Sequence, residues 1–177
     1  MTEWLMVIDL QPAFAHPDSP WFTPTLDGVT AQIARLVPRF GERLLFTRFV
    51  PPGEPWGSWR PYYDKASWAL KPDAAAMWEL DSQWADRPSF GKHTFSKWGS
   101  EARQFIGVDD VAVLCGVSTD CCVLMTALAA VDDGAYVRVV ADACASKSTE
   151  AHERALALLG GRAPQLRITT VAEELAA

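Results

Sequence analysis

The chain has 177 residues, of which 49% are hydrophobic and 21% are charged, a composition typical of a globular protein and not of a disordered one. Sixteen Lys and Arg residues against 22 Asp and Glu residues give a formal net charge of −6. This balance argues against a general nucleic-acid binder, because neutralising phosphates requires a basic face. Since domains commonly have about 150 residues, we expect a single domain over residues 1–177.

The predicted elements alternate between short apolar runs and stretches of helical spacing. In chain order they are strand 4–8, helix 25–40, strand 43–49, a short helix 74–80, strand 87–91, helix 100–106, strand 111–115, helix 120–131, strand 135–140, helix 151–159 and strand 166–170. This alternation predicts an α/β protein, specifically a three-layer α/β/α Rossmann-like fold around a mostly parallel six-stranded sheet.

The region 50–88 stands apart because it is irregular and rich in Pro, Gly, Trp and Tyr. A long irregular segment inside a compact domain is often functional. We expect its aromatic residues either to wall a substrate pocket or to bury a subunit interface; the candidates are Trp56, Trp59, Tyr62 and Tyr63. Arg48 and Arg60 are candidate anchors for an acidic group of a substrate.

The sequence predicts no targeting signal. The N-terminus has no basic segment followed by an apolar one, and no run approaches the roughly 18 apolar residues of a membrane helix. We therefore expect a cytoplasmic protein without membrane partners. Its four cysteines, Cys115, Cys121, Cys122 and Cys144, then favour buried thiols or a nucleophile over a disulfide framework.

Polar residues follow several of the predicted strands, where α/β folds bind their ligands. Asp9 and Gln11 follow the first strand, and Lys92 follows the third. A carboxylate at the end of an apolar run must be paired or solvated, so Asp9 is a helix cap, a partner for a structural lysine, or a general acid and base. Composition alone makes Lys97 as plausible as Lys92 for a functional lysine.

The strongest local signal is the turn after the fourth strand, which enters a helix with Cys121 and Cys122 in its first turn. The free N–H groups and the dipole of a helix N-terminus favour a thiolate and can hold an oxyanion. The residues alone leave open which cysteine reacts, or whether both are structural. The histidines are widely separated and no glycine-rich phosphate loop is present, so we predict no metal site and no cofactor.

Together these segments resemble the isochorismatase-like cysteine hydrolase family. The family's Asp-x-Gln motif is matched at 9–11, and its Lys-x-x-[Tyr/Phe]-Ser-x-[Phe/Trp] motif at 92–98. Its Gly-Val-x-Thr-[Asp/Glu]-x-Cys-Val-x-x-Thr-Ala motif is matched at 116–127. The resemblance spans nearly the whole chain and implies a catalytic triad of Asp9, Lys92 and Cys122.

The resemblance also implies how the site is built. A cis peptide bond is expected between Val117 and Ser118, so that the N–H groups of Ser118 and Cys122 meet one oxyanion. We expect Gln11 and Val117 to border the substrate as well. Asp9 would take the proton of Cys122, and the thiolate would attack a carbonyl carbon to give a thioester.

The departures from the family bear on the substrate. The nicotinamidase branch has an Asp-x-His metal site after its second strand, whereas residues 47–52 here contain neither His nor Asp. The retained cysteine favours hydrolysis of a C–N bond in a small amide, ureide or lactam. The alternatives are isochorismatase-type vinyl-ether hydrolysis, a thiol redox enzyme, or a binding protein that has lost the reaction. Family members commonly assemble, so we expect a homo-oligomer, a dimer or tetramer.

Overall fold

Six strands form one sheet in the computed structural model, which describes residues 1–177. The strands are β1 (Glu3–Ile8), β2 (Leu44–Phe49), β3 (Ser89–Lys92), β4 (Val111–Val117), β5 (Tyr136–Ala145) and β6 (Leu166–Thr169). Their order is β3-β2-β1-β4-β5-β6, and every neighbouring pair is parallel. The predicted α/β fold class is therefore confirmed, and the sheet is parallel throughout.

Helices cover both faces of this sheet. The α-helices are α1 (Pro12–Ala15), α2 (Leu26–Phe40), α3 (Trp59–Lys65), α4 (Ser100–Arg103), α5 (Leu124–Asp132), α6 (Thr149–Gly160) and α7 (Val171–Ala176). Helix α2 packs across β1, β4 and β5 beside α7. Helices α5 and α6 contact β5 and, because parallel crossovers are right-handed, lie on the opposite face. No helix is both long and apolar enough to cross a bilayer.

The sequence explains this layering. Every residue of β4 is buried, as are the last four residues of β1, which is why both read as continuous apolar runs. In α2 the buried residues recur every three or four positions and so form one stripe that faces the sheet. They are Leu26, Val29, Ile33, Leu36, Val37 and Phe40.

The crossover direction reverses between β1 and β4. The chain moves from β1 toward β2 on one side and from β4 toward β5 on the other, so the carboxyl ends of β1 and β4 flank a crevice where α/β proteins bind ligands. Gly116, with φ +110, lies at this junction, and a Cβ there would overlap the carbonyl oxygen of Ile8. Only glycine lets the two strands approach so closely.

The region 50–88 departs most from prediction. Besides α3 it contains three short 3₁₀ helices, Ser67–Leu70, Pro72–Trp78 and Ser82–Trp84, where the sequence predicts one short helix at 74–80. Its aromatic side chains are ordered by packing against each other, which local spacing does not encode. The helices α1 and α7 were also not predicted.

Candidate active site

Asp9 follows β1 directly and is fully buried. Its backbone adopts the left-handed conformation, with φ 55, which is uncommon outside glycine and is often found at functional sites. Thr47 of β2 donates a hydrogen bond from Oγ1 to Asp9 Oδ1 at 2.8 Å. The second carboxylate oxygen, Oδ2, lies 3.1 Å from Lys97 Nζ and accepts no hydrogen bond. One oxygen is thus anchored by a hydrogen bond, while the other is held by the ion pair with Lys97.

Lys97 is fully buried beside this carboxylate. Its Nζ donates a hydrogen bond to Thr94 O at 2.7 Å and lies 4.8 Å from the centre of the Phe49 ring. Its backbone N–H donates to Oγ1 of Thr126, on α5, at 2.8 Å. A buried charge requires a partner of opposite sign, and Asp9 and Lys97 provide this for each other.

The structure therefore places Lys97 beside Asp9, and not Lys92, which the family motif predicts there. Lys92 ends β3, which is two strands from β1, a separation of about 10 Å at the usual strand spacing. Its Nζ donates to Trp98 O at 3.0 Å and lies 3.6 Å from Glu101. The segment after β3 returns toward β1 and brings Lys97 to Asp9 instead. Spacing along the sequence does not encode that path.

Cys122 lies at the end of β4, in a wide π-helical turn over Thr119–Val123 that precedes α5. The peptide bond between Val117 and Ser118 is cis, as predicted. The Cys122 thiol is 4% exposed. A hydrogen bond with Cys121, burial and the nearby Asp9 carboxylate raise the pKa of Cys122 well above its ordinary value, and Lys97 opposes them. Cys122 is therefore a thiol at rest and needs a base to react.

Cys121 has the opposite character. It is partly exposed, and the hydrogen bond with Cys122 lowers its pKa, with burial acting against this shift. The stronger thiolate tendency at rest therefore belongs to Cys121, whereas Cys122 keeps its proton and is almost fully buried at the floor of a cavity.

A second layer of side chains holds the π-helical turn. Thr119 Oγ1 lies 2.8 Å from Nδ1 of His152 on α6, and burial lowers the pKa of that imidazole. The backbone N–H of Asp120 donates to Ser146 Oγ at 3.1 Å. Both contacts come from residues that follow β5, so the neighbouring crossover fixes the position of the turn.

A cavity of about 250 Å³ opens above the two sulfurs. It is lined by aromatic rings, by the π-helical turn and by a rim that carries two charges: Phe14, Pro20, Trp21, Phe49, Tyr62, Phe95, Ser118, Asp120, Cys121, Cys122 and Lys147. Asp9 and Lys97 lie below this surface, because both are fully buried.

Four residues predicted to touch a substrate do not line this cavity. Gln11 is a buried clamp that joins the backbones of Phe49 and Trp78 through three hydrogen bonds of 2.7–3.0 Å. Val117 faces the core. Trp59 and Tyr63 pack behind Tyr62, with ring centres 5.3 and 5.1 Å from it. Of the predicted contacts outside the triad, Ser118 and Tyr62 line the cavity.

The tryptophans of the region 50–88 mainly support the cavity wall. Trp68 and Trp78 lie 5.1 and 5.4 Å from the ring of Trp21, which lines the cavity. Trp56 instead is half-exposed and contacts His93. The pocket-wall interpretation thus applies to part of the segment, and its use as a subunit interface stays a prediction.

Comparisons with known proteins identify the family. Residues 3–173 match the family model described as an isochorismatase domain. The chain belongs to the isochorismatase family. It is accordingly a member of a family of hydrolases, and the resemblance inferred from its motifs is confirmed. No group of three or more His, Cys, Asp or Glu side chains is arranged to hold a metal ion.

Other isochorismatase-like proteins share this fold. The chain superimposes on a cysteine hydrolase from Pseudomonas syringae pv. phaseolicola 1448A with a TM-score of 0.82 at 18% identity, covering 99% of this chain and 91% of that one. For an isochorismatase-like hydrolase from Alkaliphilus metalliredigens the TM-score is 0.77 at 20% identity, and the match covers 99% of this chain and 95% of that one. A nicotinamidase from Bacillus subtilis gives a TM-score of 0.62 at 22% identity, and the match covers 96% of this chain and 99% of that one.

A curated relative matches only a part of the chain. Isochorismatase domain-containing protein 2 of Xenopus laevis is 39% identical over 66 residues, which are 36% of this chain and 32% of that protein. The match therefore spans about a third of the relative's length.

Proposed function

We propose that this isochorismatase-family hydrolase cleaves a C–N bond in a small amide, ureide or lactam through a thioester on Cys122. The observation that carries the proposal is the buried Asp9–Lys97 pair, whose charges act on a thiol at the floor of the cavity. A carboxylate oxygen without a hydrogen bond beside a protonated thiol is a general base in position.

In the first half-reaction the Cys122 thiol transfers its proton to Asp9 Oδ2 as the sulfur bonds to the substrate carbonyl carbon. The backbone N–H groups of Ser118 and Cys122 stabilise the resulting oxyanion. As the C–N bond breaks, Asp9 returns the proton to the leaving nitrogen. Ammonia or an amine departs, and the acyl group stays on sulfur.

In the second half-reaction Asp9 accepts a proton from water, whose oxygen attacks the thioester carbon. The C–S bond then breaks, the acid leaves, and the proton returns to the sulfur. Lys97 compensates one negative charge throughout, whether that charge is on the Asp9 carboxylate or on the Cys122 thiolate. The roles of base and acid thus alternate on one carboxyl group.

The test is intact-protein mass spectrometry during turnover of a panel of small amides, with ammonia release measured in parallel. Wild type should show an acyl adduct that maps to Cys122. Cys122→Ser should lose activity by more than about 10³-fold, on the scale seen when a nucleophile is removed, whereas Cys121→Ser should keep most of it. Equal losses would contradict the choice of nucleophile.

The same variants test the other reactions. Hydrolysis of a vinyl-ether substrate that persists in Cys122→Ser without any adduct would favour a non-covalent vinyl-ether mechanism. The lowered pKa of Cys121 supports a second candidate, thiol redox chemistry at that sulfur. This candidate predicts peroxide consumption that is lost in Cys121→Ser and retained in Asp9→Asn, the reverse of the dependence expected for hydrolysis.

A further inference from the structure

The cavity above Cys122 is walled mainly by aromatic rings. Phe14 lies 6.1 Å from Trp21, Phe95 lies 6.3 Å from Phe49, and Tyr62 lies 5.7 Å from Phe95, measured between ring centres. All five rings line the same space. Such a wall favours an apolar group that excludes water. It returns nothing to a carboxylate for its lost hydration. It returns a cation–π contact to an ammonium, which is weaker than the cost of burying such a charge.

The positive charges around this space are already paired or lie at its rim. Lys97 is sealed behind the Phe49 ring and neutralised by Asp9. Arg48, a candidate anchor for an acidic substrate, forms an ion pair with Glu79 at 2.7 Å and does not line the cavity. Arg60, the other candidate, is exposed and does not line the cavity either.

The rim carries one charge of each sign. Lys147 is exposed, and its Nζ donates to Pro20 O at 3.3 Å. The Asp120 carboxylate shares that rim and is exposed too. Charges in such contact with solvent are strongly screened. The rim therefore has no net preference for an anion or a cation.

Apart from Cys121, whose lowered pKa gives it some thiolate character, the remaining polar groups of the interior are neutral. Burial raises the pKa of the Tyr62 phenol well above its ordinary value, so that hydroxyl stays protonated at neutral pH. Ser118 contributes its backbone and an uncharged side chain. The interior thus has hydrogen-bonding groups that can orient an amide, but no cation for an acidic substrate and no carboxylate for a basic one.

From this arrangement we propose that the site selects substrates with an uncharged, apolar acyl group, either a flat aromatic ring or a compact branched chain, and rejects acyl groups that carry a carboxylate or an ammonium. The inference rests on the proposed function, because it concerns the same cavity. The volume of about 250 Å³ suits one ring with its carboxamide, since an apolar cavity of about 150 Å³ holds benzene.

The first experiment measures binding without chemistry. Ligand-observed NMR with Cys122→Ser compares benzamide and isobutyramide, which are neutral, with succinamate, an anion, and 3-aminopropanamide, a cation. We expect each neutral amide to bind at least about tenfold more tightly than either charged one, because an unpaired charge loses hydration in the cavity.

Substitutions in the same background locate the binding. Trp21→Ala and, independently, Phe95→Leu should weaken benzamide binding at least about threefold, because each removes part of the apolar wall. Trp56→Ala is the matched control, since Trp56 is half-exposed and lies outside the cavity, and it should change nothing. Lys147→Met should leave the order of the four ligands unchanged.

The second experiment measures ammonia release and the acyl adduct for the same amides on wild type. A preference for benzamide in both experiments supports the inference. Tighter binding of succinamate that is lost in Lys147→Met, tighter binding of 3-aminopropanamide, or no binding of any amide overturns it. Selective benzamide binding without release or adduct supports the apolar selection and overturns the proposed function, so the two failures are distinguishable.

Discussion

The floor and the wall of this site are built in different ways. The floor consists of the carboxyl ends of β1 and β4, where Asp9 and Cys122 follow strands that are buried at those ends. The wall comes largely from regions without long elements, and its rings are held by other rings. Sheet topology therefore positions Asp9 and Cys122 of the floor, whereas packing between side chains of distant segments shapes most of the space above it.

Lys97 links the two regions, because it belongs to an irregular segment yet neutralises a residue of the floor. Lys97→Met should lower activity by at least about 10²-fold and should destabilise the fold by about 3–5 kcal/mol, since it leaves Asp9 buried and unpaired. Steady-state rates and chemical denaturation provide the two measurements.

Lys92→Met is the matched control for this prediction. It removes a partly exposed hydrogen bond and ion pair and should cost at most about 1 kcal/mol, with activity retained. The double variant Asp9→Asn/Lys97→Met should regain stability relative to Lys97→Met but not activity. A larger loss of activity in Lys92→Met than in Lys97→Met would assign the catalytic role to Lys92 instead of Lys97.

A smaller effect is expected at Gln11, which follows β1 and holds the backbone behind the aromatic wall. Gln11→Leu removes three hydrogen bonds to the buried backbones of Phe49 and Trp78 and should cost about 3 kcal/mol of unfolding free energy, since the freed groups lose their partners. Because Gln11 does not line the cavity, KM should remain within about threefold of wild type.

The control for Gln11→Leu is Gln104→Leu, at an exposed position, which should be nearly neutral. A rise in KM without a loss of stability would return Gln11 to the substrate-binding role that the sequence predicts. Thermal and urea unfolding, together with full Michaelis curves, separate the two cases.

The smallest effect on the unfolding free energy concerns Cys144, a buried thiol of β5. Burial raises the pKa of Cys144 to about 12, against an ordinary value of 9.0. Above pH 9 the unfolded chain therefore releases a proton that the folded chain keeps, and the unfolding free energy falls as the pH rises. Between pH 8 and 10 this thiol alone should account for about 1 kcal/mol.

The measurement is urea unfolding at both pH values for wild type and Cys144→Ala. The substitution should reduce the fall in unfolding free energy between pH 8 and 10 by about 1 kcal/mol. An identical decline in both proteins would assign the alkaline loss to the other buried thiols and phenols.

Most of the floor could be predicted from the sequence, and little of the wall. The apolar runs that end at Asp9 and before Ser118 are local signals of buried strands, and parallel strands bring their carboxyl ends together. No local signal distinguishes Lys97 from Lys92, since the choice depends on how the chain returns from β3. Trp21 was missed as a lining residue for the same reason, because its position depends on contacts between distant segments.

The left-handed backbone of Asp9 restricts how this position can vary. Asparagine and glycine tolerate that conformation, whereas β-branched and bulky residues do not. The neutral replacement that best preserves the shape of the loop is therefore asparagine, which removes the proton acceptor. Asparagine would, however, leave Lys97 buried without its counter-ion, so loss of the proton acceptor at this position comes with a loss of stability.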